Sequence, residues 1–294
     1  MTPFSLGMMG MLYAKRRNVP VTASYTTDFV AYLKHYNLAL LEKPLWRFFS
    51  WFHGHTVANF VASKSSAEQL KEQKIGNIRF WGRGIDCDSF NPERRSEKVR
   101  KELGVAEGEK MLLYVGRLAA EKELDVLLSA YEKLRENNTS IKLVMVGDGP
   151  YRKNIVERSI EGVILPGYRI GKELQSIYAS ADVFVFPSST ETYGNVILEA
   201  MASGLPVVAT CSGGVKENLL HDFNGLAHIT GDSADMAEKI SLLTGNEALR
   251  ERMGENARHF TLNKSWKRIH EELFQIFEKL IKKTENFSSE KFSA

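Results

Sequence analysis

The chain has 294 residues, 43% of them hydrophobic and 26% charged, the balance of a globular protein long enough for one large domain or two ordinary ones. Its net charge of +3 is too small to argue for nucleic acid, and no uninterrupted apolar run reaches the roughly 18 residues that would suggest a membrane-spanning helix. The two cysteines, Cys87 and Cys211, lack metal-ligand spacing and point to free thiols in a reducing, cytoplasmic compartment.

Near the N-terminus, Lys15, Arg16 and Arg17 follow the apolar stretch rather than precede it, and no small-residue cleavage site appears. This segment therefore reads as an amphipathic helix from about Ser5, not as a signal peptide. Residues 19–25 (VPVTASY) read as a strand, 28–36 as a short helix, 44–53 (PLWRFFSWFH) as an aromatic helix and 56–62 (TVANFVA) as a buried strand. A polar helix over 65–74, capped by Ser63 or Ser65, precedes a strand over 77–81 and the turn Gly82-Arg83-Gly84-Ile85-Asp86. Such alternation predicts a parallel α/β sheet.

Charge is unevenly spread. Residues 1–83 hold eleven Lys or Arg against four Asp or Glu, an excess of seven. With Trp46, Phe48, Phe49, Trp51 and Phe52 interleaved, two readings stand side by side: a face that meets anionic lipid, or an aromatic core beneath ordinary solvated cations. The charged stretch 93–110 reads as a linker carrying a short helix. The expected division is a first domain over 1–95, a linker over 96–110 and a second domain over 111–265.

The second domain opens with a buried strand, 111–115 (MLLYV), then Gly116-Arg117-Leu118-Ala119-Ala120-Glu121-Lys122 and a helix over 124–135. A strand, a glycine and two cations before a helix suit an anion. Arg117 forks onto one phosphate and Lys122 places a point charge on the next. The plain alternative is two solvated cations at a helix start. A strand over 141–146 ends in the tight Gly147-Asp148-Gly149-Pro150 turn, and 163–165 leads to Pro166-Gly167-Tyr168. A helix over 172–180 and a strand over 183–187 then run into the stretch around which the chain is organised, SSTETYGNVILEAMASGLPVVAT, residues 188–210.

In that stretch Glu191 and Glu199 are spaced E-x7-E. Tyr193-Gly194-Asn195 reads as the turn into a helix over 196–202, which Gly204 and Pro206 stop before a strand over 205–210. A Gly-opened helix N-terminus suits a phosphate or a developing anion, and a carboxylate in the first turns of the helix suits a pair of sugar hydroxyls. By itself the pair reads as a solvated loop residue and an exposed helix residue. The flanks decide it. The run Glu191, Tyr193, Gly194, Glu199, Ala200, Met201, Ala202, Gly204, Pro206, Val207 and Val208 resembles the nucleotide-sugar motif of retaining glycosyltransferase family 4, which has the GT-B fold. Gly116-Arg117-Leu118 with Glu121-Lys122 resembles the diphosphate-binding turn of the same family, and Ser212-Gly213-Gly214 its loop beside the phosphates.

The resemblance implies an α/β GT-B protein of two Rossmann-like domains, the N-terminal one incomplete. It also implies a C-terminal helix over 266–283 that crosses back to the first domain, with residues 284–294 as a loose tail. The implied donor site is Gly116, Arg117, Lys122, Gly147, Pro166, Gly167, Tyr168, Glu191, Tyr193, Gly194, Asn195, Val196 and Glu199. Arg117, Lys122 and Glu191 carry the catalytic roles, and Thr26 and Asp28 face the acceptor and the transferred sugar. The donor is a GDP-sugar or a UDP-sugar, with no further cofactor and no metal; Asp86 and Asp88 read as structural. Segments around 24–29, 44–46 and 80–86 resemble bacterial GDP-mannose-dependent α-mannosyltransferases of glycolipid synthesis and their UDP-sugar relatives. The implied partners are a lipid or glycan acceptor and the anionic inner face of the cell membrane, with no nucleic acid.

Two departures stand out. Thr26 occupies the place of a family histidine, and a threonine neither carries charge nor acts as a base near neutral pH. No Gly-rich strand-to-helix turn precedes Val21, so Met1 reads as an internal start or the mark of a broken gene. Three functions are compatible with this pattern: a retaining hexosyltransferase, a non-catalytic nucleotide-sugar-binding remnant, and a membrane-surface adaptor.

Overall fold

A computed structural model describes residues 5–28, 30, 33, 38–137, 139–191 and 193–292. The chain divides into two compact units, residues 1–84 with 266–294, and residues 85–265.

In the first unit, α1 (Ser5–Arg16) buries Gly7, Met11 and Ala14 at helical spacing and exposes Leu6, Met9, Leu12 and Tyr13. Lys15 and Arg16 in its last turn complement the helix dipole. β1 (Thr22–Tyr25) pairs in parallel with the next strand, Ala58–Val61, and α2 (Glu42–Gly54) lies between them in sequence. That second strand, β2, is buried along its whole length, as a central parallel strand should be. After α3 (Lys64–Glu72), which Ser63 caps by accepting from the Ser66 N–H, comes β3 (Ile78–Phe80). The sheet order is β1-β2-β3. The helix expected over 28–36 falls largely outside the described residues.

Helix α2 settles most of the aromatic question. Trp46, Phe49 and Phe52 are 7%, 0% and 0% exposed, while Trp51 is 45% exposed. The Tyr25 ring stacks on Trp46 at 6.2 Å and meets Phe49 edge-on at 6.1 Å. Three of the five aromatics are therefore core. Below them, the Nδ1 of His53 lies 2.7 Å from Asn59 Oδ1, and Asn59 Nδ2 donates to the His53 and Gly76 carbonyls. Burial pushes the His53 imidazole below its usual range, so the ring is neutral near pH 7.

The C-terminal helix, Trp266–Phe292, belongs to this first unit and meets β2 through Phe277, edge-on to Phe60 at 5.5 Å. The tail expected from 284 onward is instead helical to Phe292. No Gly or Pro interrupts residues 284–292, so nothing there stops a helix.

The second unit also corrects the linker. Residues 85–110 fold with this unit, and the chain passes between units at Gly84 and Ile85. Asp86 accepts from the Asp88 and Ser89 N–H groups, closing a turn. Within the expected linker lies α4 (Glu97–Glu102), capped by Ser96. Its Arg100 is 4% exposed and donates to the Ser180 carbonyl at 2.7 Å and to Asp182 at 3.0 Å. A paired guanidinium anchors this segment together with buried Val105 and the partly buried Val99 and Leu103, so a few apolar contacts suffice and its composition resembles that of a linker.

From there the unit alternates strand and helix: β4 (Lys110–Val115), α5 (Leu124–Asn137), β5 (Ile141–Val146), α6 (Arg152–Arg158), β6 (Val163–Gly167), α7 (Gly171–Ser180) and β7 (Val183–Phe186). Then come α8 (Asn195–Ala202), β8 (Val207–Thr210), β9 (Gly225–His228), α9 (Ser233–Gly245) and α10 (Glu247–Leu262). The six strands are parallel in the order β6-β5-β4-β7-β8-β9. Counted from β4, the spatial order is third, second, first, fourth, fifth, sixth: a doubly wound sheet whose direction of winding reverses between β4 and β7. Such a reversal opens a crevice at the strands' carboxyl ends, because the loops there turn to opposite faces. β4, β5, β7 and β8 are almost entirely buried and form the core.

Candidate functional site

The crevice is present. A cavity of about 510 Å³ at the carboxyl ends of β4 and β5 is lined by Gly116, Arg117, Gly147, Asp148, Tyr168, Arg169, Leu174, Val196 and Glu199, among others. Another, of about 450 Å³ around Arg95, Arg100, Lys110 and Asp182, lies at the opposite end of the sheet, where several of its charges pair with one another.

Local chemistry shapes the first cavity. Gly147 has φ +143°, and a Cβ there would lie 1.9 Å from the Gly116 carbonyl oxygen, so the turns after β4 and β5 meet backbone to backbone. Tyr114, buried in β4, donates to the Arg117 carbonyl at 3.0 Å and holds the first turn. Burial beside Glu191 and Glu121 pushes its phenol well up, so it stays a donor.

That turn is stapled to the stretch after β7. Glu123, with φ +53°, accepts from the Ser189 N–H at 3.1 Å and from the Ser189 hydroxyl. The Glu121 carbonyl accepts from Thr190 at 3.1 Å and from Ser188 at 3.4 Å. Lys122 Nζ lies 2.9 Å from Glu191 Oε2 and 5.6 Å over the Phe186 ring. Arg117 is mostly exposed and approaches buried Glu121 at 3.7 Å. On the far side of the stretch, the Glu191 carbonyl accepts from the Gly214 N–H at 2.7 Å, and Ser212 donates to the Ser189 carbonyl.

Gly194 opens α8 with φ +81°, and among the described residues no side chain caps the helix start. Glu199 lies in the second turn and lines the cavity. Tyr178 of α7 donates to its Oε2 at 2.8 Å. Burial raises the Glu199 carboxyl above the usual carboxylate range, and the Tyr178 bond opposes that rise.

The structure thus brings Gly116, Arg117, Gly147, Tyr168, Val196 and Glu199 to one cavity, while Lys122 and Glu191 form an ion pair on the stapled turns. Tyr168, 71% exposed, stands at the rim. Gly167 ends β6 and accepts from the Gly147 N–H; Pro166 precedes it in that strand. Tyr193 is buried: Asn218 donates to its carbonyl at 2.6 Å, and Lys264, which donates to Asn218, lies 5.7 Å over its ring. It anchors the turn from beneath. Asn195 is exposed at the first position of α8.

Thr26 and Asp28 belong to the first unit, where Asp28 accepts from Tyr25 at 3.2 Å and from Gln69 at 2.8 Å. Sequence reasoning missed Tyr178, Glu123 and Ser189. Tyr178 fits the apolar stripe of α7, and only its polar tip, placed before a strand that leads to Glu191 and Glu199, could have flagged it.

The sequence profile described as glycosyl transferases group 1 matches residues 95–260, and that described as glycosyltransferase family 4 matches residues 1–89. The chain belongs to the group 1 glycosyl transferases. It is 36% identical to the sulfoquinovosyl transferase SQD2 of Arabidopsis thaliana over 86% of this chain and 51% of that protein. It is 32% identical to a GDP-mannose-dependent alpha-mannosyltransferase of Mycobacterium tuberculosis, over 94% of this chain and 71% of the relative. The chain therefore spans about half of one relative's length and 71% of the other's. Among solved structures, Anabaena HepE in complex with UDP and glucose superposes with a TM-score of 0.80 at 20% identity, over 92% of this chain and 75% of HepE. The α/β fold of this glycosyl transferase is of the GT-B type, as the sequence resemblance implied.

Proposed function

We propose that the second unit binds a nucleoside diphosphate sugar and that this glycosyl transferase moves the hexose, mannose ahead of glucose, onto a lipid or glycan acceptor with retention. The observation that carries this reading is the cavity at the sheet's switch point, with Glu199 and Arg117 on its wall and the Lys122–Glu191 pair on the stapled turns. Glu199 takes the ribose hydroxyls, and Arg117 and Lys122 take the diphosphate. Glu191, with the N–H groups of Gly194, Asn195 and Val196, positions the sugar.

The acceptor hydroxyl attacks the anomeric carbon from the face that the diphosphate leaves. The carbon–oxygen bond to the β-phosphate breaks with its electron pair on that oxygen. The departing phosphate takes the acceptor's proton, and the new glycosidic bond keeps the original configuration. The developing negative charge is met by Arg117 and Lys122, a task this reading assigns to no metal. GDP and UDP are both candidate leaving groups, as a GDP-mannose relative and a UDP-bound neighbour suggest. Titration calorimetry with GDP and UDP tests the site: Lys122→Ala and Glu199→Ala should each abolish measurable binding, and unchanged affinity in either variant sinks the assignment.

A binding module without transfer is the second reading: the cavity and the Lys122–Glu191 pair both lie in the second unit, and binding alone asks for nothing more. Release of sugar from the donor, including slow hydrolysis, separates the two. For the acceptor side, α1 exposes Leu6, Met9 and Tyr13 next to Lys15, Arg16 and Arg17, with Arg17 5.5 Å over the Tyr13 ring. That face suits peripheral contact with an anionic inner membrane. Among the described residues no helix is long and apolar enough to cross one.

A further inference from the structure

A role for Tyr178 in donor binding rests on the reading that Glu199 holds the ribose. A lone carboxylate on a helix samples several rotamers, and a site for two hydroxyls at fixed spacing needs one of them. The protein supplies the constraint from behind. Tyr178 is 0% exposed, with its ring held edge-on to Phe90 at 5.5 Å and tilted against Phe184 at 5.9 Å. Its hydroxyl lies 2.8 Å from Glu199 Oε2 and 3.4 Å from the Val196 carbonyl. A phenol has one proton to give, and the shorter, charge-assisted contact to the carboxylate takes it. With Oε2 engaged by a donor that cannot move, Oε1 keeps its full acceptor capacity toward the cavity that Glu199 lines.

We propose that Tyr178 is a positioning residue for the donor: its buried hydroxyl fixes the Glu199 carboxylate so that it meets the two ribose hydroxyls of a nucleoside diphosphate. The same bond favours the ionised form of that carboxylate, which burial disfavours. The other charged groups on the cavity wall are Arg117, Asp148 and Arg169, and Tyr114 is the titratable neighbour behind Tyr178.

Tyr178→Phe removes one oxygen and keeps the ring. Calorimetry should use two probes, UDP and its 2′,3′-dideoxy counterpart, across pH 5.5 to 8.5. The variant is expected to lose about tenfold in UDP affinity, the scale of one hydrogen bond to a charged group, and to keep its dideoxy-UDP affinity. The acid limb of UDP binding should move to higher pH than in the unmodified protein. Equal loss for both probes means a structural role alone and overturns the proposal, as does no loss for either. Glu199→Gln separates the levels. If it keeps full UDP affinity, the ribose assignment itself fails; if it loses the ribose contribution while Tyr178→Phe retains it, only the inference about Tyr178 fails. Should Tyr178→Phe not fold, Glu199→Asp carries the test, because it keeps the charge and withdraws it from the phenol. It should show the same ribose-specific loss, and full UDP affinity in that variant overturns the proposal.

Discussion

The two units are stabilised in different ways. The second wraps six parallel strands in helices, and its central strands are apolar along nearly every residue. The first rests on three strands and a small aromatic group around Tyr25, Trp46 and Phe49. Many of the exposed large apolar side chains among the described residues belong to it, including Leu6, Met9, Leu12, Tyr13, Leu40 and Trp51. Stored packing is thus concentrated where the candidate donor cavity lies. A deep core lets loops be held to the tolerance that chemistry needs, whereas the first unit spends much of its apolar surface at the boundary with solvent.

That contrast is open to direct attack, because all four tryptophans, Trp46, Trp51, Trp81 and Trp266, belong to the first unit. Tryptophan emission therefore reports on that unit alone. The largest effect should come from Phe49→Ala, which empties the centre of the aromatic group and costs about 3–5 kcal/mol. In a urea titration the tryptophan transition should shift strongly while the far-ultraviolet signal of the larger unit stays in place. A single merged transition would mean that the units unfold as one.

Next in size, Lys122→Ala should lower donor turnover by about 10²–10³, the usual scale for removing one group that stabilises developing charge. The tryptophan transition should not move. Turnover within a factor of two of the unmodified protein removes Lys122 from the chemistry.

Acid is a gentler probe of the same contrast. Burial holds His53 below the ordinary histidine value of 6.5, so the unfolded chain takes up this proton first as pH falls. The stability present above that value is lost as pH falls through it toward the folded value. Burial lowers His228 in the second unit as well, so both units should weaken in the same direction. The smaller core should show it first by tryptophan emission, and a pH-independent transition between 7 and 5.5 would contradict the burial argument. The smallest effect on stability should come from Leu6→Asp with Met9→Asp, within about 0.5 kcal/mol, because both side chains are exposed. Flotation with anionic vesicles should nonetheless fall, and undiminished flotation removes α1 from membrane contact.

Much of the second unit is legible in the sequence. The strands at 111–115, 141–146 and 183–187 are continuous apolar runs, and the site turns come directly after them, so strand ends and motif locate each other. Glycines at 116, 147 and 194 mark where backbones approach or reverse. The features that stay hidden are polar. The expected linker is held by Arg100, whose partners are the Ser180 carbonyl and Asp182, some eighty residues away, and no local pattern announces them. The pairing of Lys122 with Glu191 and the Glu123–Ser189 staple have the same character. Residues 225–262, which form β9, α9 and α10, carry no motif and offer sequence reasoning little to hold. The C-terminal helix runs past its expected end because residues 284–292 hold no Gly or Pro to stop it.

The Lys122–Glu191 pair has a kinetic side. On the proposed reading, Lys122, already satisfied by a carboxylate at 2.9 Å, is exchanged from one anion to another when a diphosphate arrives. Part of the attraction that an empty basic pocket would offer is thereby cancelled in advance, which moderates affinity and flattens its dependence on salt. The return leg gains what the arrival gives up. On the same reading, Glu191 is at hand to receive the ammonium when a spent nucleotide leaves, so departure does not strand a largely buried charge. If the proposed transfer holds, such a relay keeps the site from being throttled by its own leaving group.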